Sequence, residues 1–111
     1  MNELTITTQM AQAVEQKATK VAKINELCDQ LVALEIKERN ARAKILEDLT
    51  NSGEKLTEKV KTAKADKLLK SELGKIAHLK NQIGNLRREI DVCNDRISLA
   101  RNIIRELEIT K

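Results

Sequence analysis

The chain has 111 residues, of which 34% are Asp, Glu, Lys or Arg and none is Phe, Trp, Tyr or Pro. This composition excludes a broad aromatic core, since aromatic side chains supply the largest single burials in ordinary domains, and it matches long helices or coiled coils. The net charge of +4 is uneven: residues 1–53 hold seven basic and eight acidic side chains, and residues 54–111 hold fourteen and nine, so the second half carries the positive field.

In chain order, the opening MNELTITTQM has neither the basic start nor the apolar run of a secretory signal. Residues 1–7 read as a frayed N-terminus, with Thr7 or Thr8 capping a first helix over about residues 8–50. The strongest punctuation is Thr50-Asn51-Ser52-Gly53. Gly53 suits the left-handed conformation that ends a helix, and Asn51 or Ser52 suits the cap of the next. Glu54 and Glu58 then lie near the positive end of a second helix over about residues 54–109. Gly74 and Gly84 fall inside it as soft spots, each costing about 1 kcal/mol relative to Ala.

A turn confined to residues 51–53 predicts an antiparallel hairpin, with residues 8–111 as a single coiled-coil domain. Facing residues then have numbers that sum to about 105: Leu49 meets Leu56, Ile45 meets Val60, Leu31 meets Leu73, and Cys28 lies near Ile76. The cleanest heptad seam runs through Ile83, Leu86, Ile90, Cys93, Ile97, Ala100, Ile104 and Leu107, alternating three and four residues. In that register it faces the thinner stripe Met10, Val14, Ala18 and Val21, and beyond Ile97 the second helix outruns the first.

A seam without cover implies another chain. The expected interface is therefore Ile90, Cys93, Ile97, Ala100, Ile104 and Leu107, with a homodimer favoured and a heterologous protein as the other cover. Ile and Leu in alternate seam positions favour two parallel strands, whereas Arg96 opposite Arg101 in such a pair favours an antiparallel or four-helix assembly. The fold class is all-α: a long antiparallel hairpin, completed as a bundle by oligomerisation.

No nucleophile with a base, no Gly-rich phosphate loop and no catalytic pair of carboxylates is present, which argues against an enzyme. His78 is the sole histidine, and Cys28 and Cys93 read as small core hydrophobes, so neither a metal nor a cofactor is expected. No segment is apolar for the length of a membrane span, and the two seam thiols suit a reducing cytoplasm. Lys61, Lys64, Lys67 and Lys70, followed by Arg87 and Arg88, would suit phosphates, although Glu54, Glu58, Asp66 and Glu72 interleave with the lysines. No motif identifies a family. In size and hairpin build the chain resembles the small export chaperones of flagellar and type III secretion systems, and small phage-encoded proteins that dock on host machinery. The expected function is that of a non-catalytic coiled-coil interaction protein, such as an adaptor, assembly factor, chaperone or inhibitor. The alternative is a nucleic-acid-associated architectural protein.

Overall fold

The computed structural model describes residues 2–110 and is all-α, with α1 over Glu3–Asn51, α2 over Glu58–Leu68 and α3 over Lys70–Ile109. Met1 and Lys111, the outer ends of the expected frayed segment and hairpin domain, lie outside the described residues. Helix α1 starts at Glu3 rather than near Thr8 because Asn2 supplies the cap. Its Oδ1 accepts from the Thr5 amide at 2.8 Å and from the Thr5 hydroxyl at 2.9 Å. Thr7 and Thr8, the expected caps, instead bond back to the carbonyls of Glu3 and Leu4 within the helix.

Helix α1 ends at Asn51, and Gly53 adopts φ 79°, the left-handed conformation expected of it. The second limb of the hairpin begins later than expected, with α2 starting at Glu58 instead of Glu54. Thr57 is its cap, with Oγ1 accepting from the Val60 amide at 3.3 Å. Residues 52–57 therefore form a wider connection, and the register moves. Facing residues now have numbers that sum to about 108, as in the Arg42–Asp66 ion pair, instead of about 105. Val60, expected to meet Ile45, is exposed, and the fully covered residue is Ala65.

The chain divides into two compact units. The turn unit, Leu27–Gln82, contains the end of α1, the connection, α2 and the start of α3. Its core is Leu27, Ala65, Leu69, Ile76 and Leu79. Leu69 departs from helical dihedrals, with φ −99° and ψ 13°, and separates α2 from α3. Backbone hydrogen bonds continue through it, from Leu69 to Ala65 and from Leu73 to Leu69, both at 2.9 Å. The expected single helix is thus interrupted at one residue's dihedrals without losing its ladder.

The terminal unit joins Met1–Glu26 to Ile83–Lys111. On α1 its inward stripe is Ile6, Met10, Ala13, Lys17, Lys20 and Ile24, at alternating steps of four and three. On α3 the buried residues are Ile83, Cys93, Ile97 and Ala100, with Leu86, Ile90, Ile104 and Leu107 half-buried among them. Covering each aliphatic side chain fully contributes about 1.5–3 kcal/mol. The helices are antiparallel in each unit: Lys20 Nζ reaches Glu89 at 3.2 Å while Ile6 borders Ala100 and Ile103, and Arg42 reaches Asp66 while Thr50 meets Lys61.

Candidate interaction surface

Ile6 is 1% exposed and Cys93 is 2% exposed. These two values correct the expectation of an uncovered C-terminal seam. Because α1 begins at Glu3 and the register has moved by about three residues, the N-terminal turns of α1 reach the end of α3. Ile97 and Ala100 are buried, and Ile90, Ile104 and Leu107 are half-buried. All six expected interface residues fall on the inward line of α3, and Ile6 and Ala13 of α1 border the same groove as Ala100.

The same register change turns a different face of α1 outward. Val14, Ala18 and Val21, expected to meet α3, are exposed and line an open trough of about 480 Å³ with Lys17, Ala22 and Asn25. A one-residue change of seam turns an α-helix by about 100°, which moves a stripe from inside to flank. On the opposite flank, Gln9, Gln12 and Gln16 of α1 and Arg96, Leu99 and Ile103 of α3 line a groove of about 310 Å³. Val92 continues that flank beside the Lys20–Glu89 pair. Both troughs belong to the terminal unit.

Two flanks of a two-helix seam can be told apart by position. Val14 and Val21 each follow an inward residue of α1, Ala13 and Lys20; on α3, Arg87, Asn94 and Arg101 follow Leu86, Cys93 and Ala100. In an antiparallel pair these sets share one side. Gln9, Gln16, Arg96 and Ile103 each precede an inward residue, and their common groove shows that they share the other.

The basic residues expected to suit phosphates fall in two groups with different neighbours. Lys61 Nζ lies 3.6 Å from Glu58 and donates to Thr50 Oγ1 at 3.3 Å, and Lys64 Nζ lies 3.8 Å from Glu54. Lys67 and Lys70 are exposed and carry no ion pair among the described residues. Arg88 donates to Asn85, and Arg87 and Arg88 belong to the terminal unit while the four lysines belong to the turn unit.

The sequence reading missed Arg42. Its guanidinium reaches Glu38 at 2.7 Å along α1 and Asp66 at 2.7 Å across the seam. Glu38 first, and then Asp66, holds it above its ordinary pKa by hydrogen bonding. The Glu38-x-x-x-Arg42 spacing on α1 was the available signal.

Among the described residues no three His, Cys, Asp or Glu side chains assemble into a metal-holding group. Cys28 is half-buried and Cys93 buried, both as free thiols. No helix is long and apolar enough to cross a membrane among the described residues. No protein-family model, curated protein or solved structure matches this chain.

Proposed function

We propose that the protein is a non-catalytic coiled-coil interaction protein, an adaptor, assembly factor, chaperone or inhibitor that presents helix faces to another protein or to a second copy of itself. One observation carries this reading. After the hairpin has closed its own seam, the terminal unit still exposes large aliphatic side chains on both flanks: Val14 at 48% and Val21 on one, Val92 and Leu99 at 61% on the other. Each set has helical spacing, and an apolar stripe of that kind is the surface on which amphipathic helices dock. The two free thiols suit a reducing, cytoplasmic setting.

The test is sedimentation of the purified chain at micromolar concentration together with affinity capture from its native host. A Val14→Asp, Leu99→Asp variant, unchanged in helicity, is the control. Self-association or a near-stoichiometric partner, absent with the variant, supports the reading. A monomer that retains nothing more than the variant does would overturn it.

A second reading, nucleic-acid association, rests on Lys67 and Lys70, which no acid neutralises among the described residues. Fluorescence anisotropy with duplex DNA and with RNA at two salt concentrations tests it. Binding that weakens steeply with salt supports it, and no binding at low salt removes it.

A further inference from the structure

We infer that the Val14 flank of the terminal unit is a docking groove for an amphipathic helix with an acidic edge. This assignment rests on the interaction role proposed above and names the partner's chemistry. Two unlike stripes share this flank. Val14, Ala18 and Val21 on α1 form the apolar one, with exposed side chains at steps of four and three residues, and they line the trough together with Lys17. Arg87, Asn94 and Arg101 on α3 do not line the trough itself; each lies one residue past the inward line of Leu86, Cys93 and Ala100, the heptad position that an antiparallel pair places on the same side. Arg87 and Arg101 are exposed and have no ion pair among the described residues. Asp91, one turn on from Arg87, makes no ion pair with it.

Each candidate occupant meets these stripes differently. A phosphate backbone would satisfy the arginines and leave Val14 and Val21 in water. A second copy laid antiparallel on the valine stripe, centred between Val14 and Ala18, would bring Lys17 against its own mate and leave both sets of arginines without acids. A helix with one aliphatic stripe and carboxylates along its α3-facing edge satisfies both stripes at once. Arg87 and Arg101 are fourteen residues apart, two heptads, or about 21 Å along a helix. The partner's acids must recur at that interval or at its half. Acid opposite base across the edge of a helix pair is what selects partner and orientation in such assemblies.

The probes are two fluorescein-labelled synthetic helices with the same leucine stripe, one carrying glutamates along its edges and the other lysines, read by fluorescence polarisation on the full chain. At low salt the glutamate helix binds more tightly by about tenfold, the sum of two gained and two avoided like-charge contacts at a few tenths of a kcal/mol each. Added salt narrows the gap. Arg87→Glu with Arg101→Glu reverses the preference. Val14→Asp, or the milder Val14→Ser, weakens both helices, and Leu99→Gln on the other flank changes neither. All these positions are exposed, and circular dichroism confirms unchanged helicity. Equal binding of the two helices, or indifference to the arginine reversal, would sink the assignment. So would a wild-type dimer that Val14→Asp makes monomeric, or DNA binding lost on arginine reversal but kept in Val14→Asp. If the assignment fails while the chain still self-associates or captures a partner, the interaction role stands and the groove or its occupant is wrong.

Discussion

Arg42 in the turn unit and Lys20 in the terminal unit both cross the seam to an acid, but the two crossings differ in kind. Arg42 holds Glu38 and Asp66 together, each at 2.7 Å, whereas Lys20 makes one contact, with Glu89, at 3.2 Å. Near Arg42, Lys61 lies beside Glu58 and Lys64 beside Glu54, while Lys67 and Lys70 of the same unit carry no ion pair among the described residues. The terminal unit has a seam of small and aliphatic residues, among them Ala13, Cys93 and Ala100, flanked by apolar troughs and by arginines without acids. The same heptad geometry thus gives one region clamped across its seam by an arginine held between two acids, and another held by a single lysine contact with apolar troughs along its flanks.

The largest expected effect tests whether the terminal seam is intrachain core. Ile97→Ala should destabilise the protein by about 2–4 kcal/mol, the cost of deleting a buried branched side chain and leaving a void. Urea unfolding measures it. Amide exchange should quicken at Ile6–Ala13 as well as around residue 97, because those residues share the seam. A cost below about 1 kcal/mol, the range of surface substitutions, would return the seam to the role of an open interface. For the same reason truncation after Ile97 should lower helicity by more than the residues removed.

Next in size is the turn. Gly53 stands at φ 79° with open space around it, so a side chain there meets no clash but does meet the left-handed backbone penalty. Gly53→Ala should cost about 1–2 kcal/mol, with the loss of protection concentrated in the turn unit. Arg42→Met follows at about 1 kcal/mol, since it removes the bridge and leaves Glu38 and Asp66 facing each other; salt should lessen the cost. Lys20→Met should cost less, because a lone exposed contact contributes little. Equal losses from the two would erase the contrast between the units.

The helices and the turn were legible because their signals are local. Heptad spacing gave α3's seam residue by residue, and a glycine in a polar cluster marked the reversal. What sequence could not supply was the registration of one stripe on the other. That depends on where the second helix restarts, and Thr57 competes with Asn51 and Ser52 as a cap on nearly equal chemical terms. The structure's choice of Thr57 lengthens the connection and shifts facing residues by about three. It puts Ala13 and Lys20 inside where Val14 and Val21 looked the better apolar choices, and so buries Cys93, Ile97 and Ala100, leaves Ile90, Ile104 and Leu107 half-buried, and exposes the valines. Lys17 and Lys20 are half-buried on the inward line of α1, where their long stems cover apolar surface while Lys20 reaches Glu89.

The smallest expected effect asks whether the two units unfold together. Gly74 lies in the turn unit and Gly84 in the terminal unit, both inside α3 and both with open space where a Cβ would stand. Gly74→Ala and Gly84→Ala should therefore each stabilise the helix by about 0.5–1 kcal/mol, through the entropy lost from the unfolded chain and without any new contact. If the units unfold as one, either substitution raises the same urea midpoint by the same amount, and amide protection rises in both. If the terminal unit, with its smaller seam residues and a cross-seam lysine that makes one contact, opens first, Gly84→Ala should slow exchange across Ile6–Ala13 and Ile83–Ala100 while leaving Leu69–Leu79 unchanged. Gly74→Ala should then do the reverse. The second pattern is the expected one, because α1 and α3 run through both units but the contacts that close each seam are made within it. Uniform protection from both variants would show that the continuous helices couple the units strongly enough to override the difference in their seams.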